Sequence, residues 1–151
     1  MKIFLDVKSL VKLYILESGT NLILDVVSKS DQVFLSQAST TQFRAFVWQK
    51  AHQGIIDNAQ AVTIIDCFEQ DSSYFQWIEL DNAIINSANQ LMMQYGISSN
   101  ISSEEAIQLA SAFTLNKDRI QFVTSNDMIH KILDENGFHT ITTISPLAIA
   151  S

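Results

Sequence analysis

Residues 2–14 of the chain read KIFLDVKSLVKLY, and this stretch decides the fold. Ile3, Phe4 and Leu5 form a short unbroken apolar run, which is typical of a strand buried on both faces. A helical pattern begins at Ser9, so Asp6 falls at the carboxyl end of the strand. Ligands bind at that edge in open α/β sheets. The stretch predicts a strand joined to a helix. The carboxylate of Asp6 either belongs to a ligand-binding site or only caps the helix.

The rest of the chain repeats this alternation of strands and helices. Residues 41–53 and 83–95 place apolar side chains on one face with a 3.6-residue period. Gly54 and Gly96 follow these two segments, where a left-handed residue commonly ends a helix. Strand-like runs cover residues 3–5, 33–35, 75–80, 122–124 and 140–143, and the lone proline, Pro146, lies in the tail. The pattern predicts an α/β fold with a parallel sheet covered on both faces.

The size and charge of the chain narrow the class of protein. Its 151 residues predict one domain, residues 1–151. No apolar run reaches the roughly 20 residues that a membrane-spanning helix needs, and the amino terminus does not resemble a signal peptide. We therefore expect a cytoplasmic protein with no membrane segment. A net charge of −7 argues against binding nucleic acid over a broad surface. The single cysteine, Cys67, is expected to be a small buried hydrophobic residue.

Several polar side chains are predicted to meet at the carboxyl edge of the sheet. Asp6 follows the first strand, and Gln42 lies in the helix after the second. Glu104 and Glu105 open the helical segment SSEEAIQLASAFTL, and Asn126 and Asp127 follow the strand QFVT. Because the carboxyl ends of parallel strands converge, we expect one cleft there. Its expected lining is Asp6, Gln42, Glu105, Thr124 and Asn126.

Four segments in this order resemble the PIN-domain family, and in particular the VapC-type toxins of bacterial toxin–antitoxin pairs. They are LDVKSLVKLY, TTQFRAF, SSEEAIQLASAF and FVTSNDMIHKILDENGF, and the resemblance runs from Lys2 to about Ile141. It implies a three-layer α/β/α sandwich with a central parallel sheet. It also implies an acidic pocket that holds Mg²⁺ or Mn²⁺ and cleaves RNA, since hard cations take oxygen ligands and activate water beside a phosphate.

The resemblance places the family's acidic residues at four positions of this sequence. Asp6 matches the first aspartate, and Glu105 stands where a second aspartate is expected. Gln42 replaces a glutamate and Asn126 replaces an aspartate, with Asp127 one place later. The implied catalytic positions are therefore Asp6, Gln42, Glu105 and Asn126, and the implied metal ligands are Asp6, Glu105 and Asp127. With two of four acids exchanged for amides, we expect at most one ion.

Each of these residues also has a purely structural explanation. Asp6 and Asn126 suit the N-cap position of a helix, and Ser102 with Glu105 has the spacing of a capping box. Two functions thus stay open. One is a metal-dependent ribonuclease, weakened or inactivated, in which amide oxygens help to hold one ion. The other is a PIN-fold binding or assembly module, in which the neutral amides and the approach of Lys8 to the carboxylates remove the need for a metal.

Partners are predicted from the first helices and from the resemblance. The first helices carry more apolar positions than one buried stripe uses, which predicts a homodimer like that of the family's toxins. The resemblance adds an antitoxin protein and an RNA substrate as partners. The apolar positions are Leu10, Leu13, Tyr14, Ile15, Leu16, Leu22, Ile23 and Val26. The histidines, His52, His130 and His139, are scattered without metal-ligand spacing.

Overall fold

The computed structural model describes residues 1–142, so the predictions for Thr143 and Pro146 lie outside the described residues. Five strands are present: β1 (Lys2–Leu5), β2 (Gln32–Ser36), β3 (Gln76–Ile78), β4 (Ile120–Thr124) and β5 (His139–Thr142). Seven helices accompany them: α1 (Val7–Tyr14), α2 (Thr20–Ser28), α3 (Ser39–His52), α4 (Asn58–Gln70), α5 (Asn82–Tyr95), α6 (Ser103–Ala112) and α7 (Asp127–Glu135).

The strands form one parallel sheet in the order β3-β2-β1-β4-β5. The central strand β1 pairs with β2 on one side, with Ile3 opposite Val33, and with β4 on the other, with Phe4 opposite Phe122. The chain winds from β1 towards β3 and then returns to place β4 beside β1. The strand order therefore reverses between β1 and β4, and crevices for ligands open at such a reversal.

Helices cover both faces of the sheet because successive side chains of β1 point in opposite directions. Ile3 and Leu5 pack in a buried cluster with α1, α2, α3 and α4. Phe4 packs in a second cluster with α5, α6 and α7. The predicted three-layer α/β/α sandwich with a central parallel sheet is confirmed.

The ends of the helices agree with the sequence at Gly54 and differ at Gly96. Gly54 has the left-handed φ of 76° just past α3, as predicted. Gly96 has a φ of −62° and donates its N–H to the carbonyl of Met92. The prediction of a left-handed residue at Gly96 is wrong because the chain continues there with another right-handed turn.

Two further expectations are corrected by the fold. Cys67 is exposed on α4 rather than buried, because that helix turns Ala61 and Phe68 towards the core. The strand expected over residues 75–80 is only Gln76–Ile78, since a 3₁₀ turn occupies Asp71–Tyr74 directly before Phe75. No helix within residues 1–142 is long and apolar enough to cross a membrane.

Candidate functional site

A cleft of about 270 Å³ lies at the carboxyl edge of the sheet, next to the reversal between β1 and β4. It brings together the first turns of α1, α6 and α7, which begin close to this edge. Its walls combine apolar side chains with acids, amides and one lysine. The lining residues are Asp6, Val7, Lys8, Phe46, Ser102, Glu104, Glu105, Gln108, Phe122, Asn126 and Ile129.

Asp6 is the N-cap of α1 and is almost completely buried. Its carboxylate accepts a hydrogen bond from the Ser9 amide at 2.9 Å. Burial raises the pKa of Asp6 above its ordinary value, and it outweighs the opposing effects of the hydrogen bonds from Ser9 and Thr124 and the charge of Lys8. The cleft therefore holds a carboxyl group whose charged form is disfavoured.

Glu105 lies in the first turn of α6 and completes the predicted capping box. Its Oε1 accepts from the Ser102 amide at 3.0 Å, and its own amide donates to the Ser102 hydroxyl at 3.1 Å. The second carboxylate oxygen, Oε2, accepts from the side-chain amide of Asn126 at 2.6 Å. Both oxygens of Glu105 are thus engaged by hydrogen-bond donors.

Asn126 connects α6 to α7. Its Oδ1 accepts from the amides of Met128 at 2.9 Å and Ile129 at 3.3 Å, which makes it the N-cap of α7. Those two N–H donors fix the orientation of the side chain, because only its oxygen can face them. The NH₂ group is thereby turned towards Glu105, and the cleft receives a donor at this position.

Gln42 and Thr124 are not among the residues that line the cleft. The Gln42 Oε1 accepts from Nε2 of Gln108 at 2.9 Å, and the same Nε2 donates to the Ser39 hydroxyl at 2.9 Å. Thr124 is fully buried, and its hydroxyl accepts from the Asn126 amide at 3.2 Å. Of the five residues expected to line the cleft, Asp6, Glu105 and Asn126 do so directly.

Asp127 requires a correction, because the structure does not bring it to Asp6 and Glu105. It is exposed in the first turn of α7 and is absent from the cleft lining. Since Asn126 caps the helix, the next residue turns outwards, where its charge suits the positive end of the helix dipole. Within residues 1–142, no three acidic, histidine or cysteine side chains are grouped to hold a metal ion.

Comparison with solved structures identifies the architecture. VapBC2 from Rickettsia felis, bound to a promoter DNA fragment, is 13% identical over 94% of this chain and 98% of that one, with a TM-score of 0.65. FitAcB from Neisseria gonorrhoeae is 11% identical over 93% and 97%, with a TM-score of 0.66. VapC20 from Mycobacterium tuberculosis, a sarcin-ricin loop cleaving toxin, is 10% identical over 86% and 94%, with a TM-score of 0.67.

The chain has a PIN-like fold. No protein-family model matches it, and no curated protein matches it by sequence. At identities of 9–17%, the likeness concerns the path of the backbone. The chemistry of this PIN-like chain depends on its own side chains.

The two amides that stand in place of acids, as they are arranged, do not fit Mg²⁺ or Mn²⁺. These ions need several oxygen acceptors, but Asn126 directs its oxygen to the α7 amides and its NH₂ to Glu105. The amide oxygen of Gln42 accepts from Gln108. The expectation that both amide oxygens help to hold an ion is therefore not met. Asp6, Glu104 and Glu105 are the acids that line this PIN-like cleft, and the buried Oε1 of Gln108 has no hydrogen-bond partner within residues 1–142.

Sequence reasoning missed Gln108, which lines the cleft and is nearly fully buried. A signal for it was present, because Gln108 lies one helical turn after Glu104 and Glu105, among mostly apolar residues of α6. A polar residue at that spacing is expected on the same side as the two acids. Lys8, weighed as a neighbour of the carboxylates, does line the cleft.

Proposed function

We propose that the chain is a PIN-fold protein of the VapC type whose metal-dependent cleavage of RNA is weak or absent. The observation that carries this proposal is the hydrogen bond from Asn126 to Glu105 at 2.6 Å. An amide donor stands there at the position where the resemblance implies an acidic ligand. The NH₂ group of Asn126 gives the Glu105 carboxylate a hydrogen-bond donor. In an acidic metal site, a cation would interact with the carboxylate instead.

The energetic consequence is a weakened attraction for divalent ions. A hydrogen bond to a charged group contributes roughly 1.5–3 kcal/mol to stability, and a metal ion at Glu105 has to displace it. Each charge exchanged for an amide removes about 4 kcal/mol of attraction per unit of cation charge, at 4 Å and an effective dielectric near 20. The burial of Asp6 also weakens the attraction for divalent ions, since it disfavours the charged carboxylate.

The competing function is a ribonuclease that works with one ion held by Asp6 and Glu105. Calorimetric titration of the chain with Mn²⁺ distinguishes the two, with Asp6→Ala as the control. We expect no saturable heat below millimolar Mn²⁺ in either protein. Incubation of a structured RNA with Mg²⁺, Mn²⁺ or a chelator should give the same RNA pattern in all three. Cleavage that needs the metal and is lost in Asp6→Ala would overturn the proposal.

The protein-binding role is favoured by a groove at the carboxyl-terminal end of α1. The groove has a volume of about 530 Å³ and includes Leu16, 84% exposed, and Ile55, 55% exposed. Ile56 and Ile64 line it as well. We propose that this surface and the exposed Leu22 and Leu24 of α2 contact protein partners, namely a second copy and an antitoxin, in the cytoplasm. VapBC2 and FitAcB, which share the fold, support the antitoxin.

A further inference from the structure

A second pocket adjoins the cleft and has the opposite charge. It has a volume of about 190 Å³ and lies between α1, α3 and the residues that follow β4. Lys8, Lys12 and Lys50 line it, together with a single acid, Glu17. Three of the nine basic residues of an acidic chain thus converge on one small cavity, which carries a local charge of about +2.

Glu17 holds two of these lysines in place. Its Oε1 lies 3.3 Å from Nζ of Lys12, and its Oε2 lies 3.0 Å from Nζ of Lys50. The Lys12 ammonium also donates to the carbonyl of Ser18 at 2.7 Å. Each ammonium has three donors, so Lys12 and Lys50 keep protons for a further acceptor. One carboxylate orders both ammonium groups but neutralises only one charge.

Lys8 supplies a cation that no salt bridge in the described part of the chain neutralises, although its charge also acts on the buried Asp6. It forms no salt bridge within residues 1–142, and its Nζ lies 6.0 Å from the centre of the Phe46 ring. Lys8 and Lys12 are four residues apart on α1 and so share one face of that helix. With Lys50 of α3, these two lysines of α1 define a short basic path along the pocket.

This path continues into the candidate active-site cleft. Lys8 and Phe46 line both cavities, so the pocket and the cleft are neighbours that share part of their walls. Phe46 is only partly buried and presents an aromatic surface between them. A row of cations beside an aromatic ring is the combination that binds single-stranded nucleic acid, with phosphates on the cations and a base against the ring.

We propose that the pocket of Lys8, Lys12 and Lys50 binds the phosphodiester backbone of single-stranded RNA and leads it to the cleft. The inference rests on the proposed function only for its choice of RNA as the ligand. Lysine binds phosphate as a point charge, and Phe46 gives a base a surface that an acidic peptide does not need. The pocket holds RNA whether or not the cleft cleaves it.

The test measures binding without metal, so that cleavage cannot interfere. A short fluorescein-labelled single-stranded RNA, and the same sequence as DNA, are titrated with the chain in a chelator-containing buffer at several salt concentrations. Three phosphate contacts predict a log–log salt slope of about −2 for RNA. Lys8→Gln and Lys50→Gln should each weaken binding several-fold and reduce the slope by about 0.7.

Glu17→Gln distinguishes a binding site from a purely structural ion pair. Removal of the competing carboxylate should tighten RNA binding. If the ion pairs of Glu17 are only structural, the substitution should lower the melting temperature and leave RNA binding unchanged. Lys29→Gln is the matched control, because it removes one exposed lysine that pairs with Asp25 on α2. Its RNA affinity should equal that of the parent chain. Thermal melts of every variant verify folding.

Several results would overturn the inference. One is RNA binding that Lys8→Gln and Lys50→Gln leave unchanged, and another is no RNA binding at the lowest salt concentration. A labelled glutamate-rich peptide that binds more tightly than RNA and with the same lysine dependence would assign the pocket to an acidic protein instead. Metal-dependent cleavage would contradict the proposed function but not this site, since the binding assay contains no metal.

Discussion

Restoring the two lost acids should turn the cleft into a metal site at the expense of the metal-free fold. The change is Gln42→Glu combined with Asn126→Asp. The first substitution keeps the hydrogen bond from Gln108, because Nε2 donates equally well to a carboxylate. The second keeps the cap of α7, since Asp and Asn are comparable N-cap residues. What it removes is the donor that now satisfies Oε2 of Glu105.

The size of the destabilisation follows from the contact between residue 126 and Glu105. Loss of a hydrogen bond to a charged group costs about 2 kcal/mol. Two carboxylates about 4 Å apart at an effective dielectric near 20 repel by about 4 kcal/mol, and proton uptake relieves part of this. We expect the free energy of unfolding to fall by about 3 kcal/mol at neutral pH. For a chain of this length, that lowers the melting temperature by about 6–12 °C.

The assay is thermal unfolding with and without Mn²⁺. Metal at one hundred times its dissociation constant stabilises a protein that binds it only when folded by about 2.7 kcal/mol, or about 5–10 °C here. The parent chain should shift much less. Asn89→Asp with Gln90→Glu, two exposed positions on α5, adds the same charge away from the cleft and should behave like the parent. Equal shifts in all three proteins would refute the reasoning and would favour a sufficient site in the parent chain.

Three other predictions concern stability and assembly. Asp6→Asn keeps the cap but removes a buried charge. Because the folded-state pKa of Asp6 is raised, the parent chain should lose stability as the pH rises from the ordinary pKa through the raised one, and urea titrations of the variant should lack that fall. Ser102→Ala breaks the capping box and should cost about 1 kcal/mol, whereas Ser103→Ala, exposed beside it, should cost much less in the same urea assay. Leu16→Glu changes a side chain that is 84% exposed, so light scattering should show a monomer whose melting temperature does not depend on protein concentration, and a persistent dimer would exclude Leu16 from the interface.

The sequence was sufficient to predict the alternation of strands and helices and the N-caps of α1, α6 and α7, because these depend on residues that are near one another in the chain. Alternating apolar strands and periodic helices required a parallel sheet, and Asp6 and Asn126 had the residue types and positions of N-caps. The spacing of Ser102 and Glu105 predicted their two reciprocal hydrogen bonds. These features need only local geometry.

The chemistry of the cleft depended on contacts that no local pattern encodes. Glu105 and Asn126 are 21 residues apart, and only the fold brings the first turns of α6 and α7 together. The N-cap bonds within α7 then decide that the NH₂ group meets the carboxylate. Gln42 and Gln108 are 66 residues apart, and their contact engages the amide oxygen of Gln42. The exposure of Cys67 was missed for a related reason, since an apolar neighbourhood in sequence does not fix which face of α4 meets the core.

The double role of Asn126 makes the width of the cleft depend on two helix ends at once. One side chain holds the first turn of α7 through Met128 and Ile129 and holds α6 through Glu105. A ligand that captures the Glu105 carboxylate frees the Asn126 side chain, and the first turn of α7 then frays more easily. Hydrogen exchange at the amides of Met128 and Ile129 thus becomes a sensor of cleft occupancy, readable in a protein with no turnover to measure.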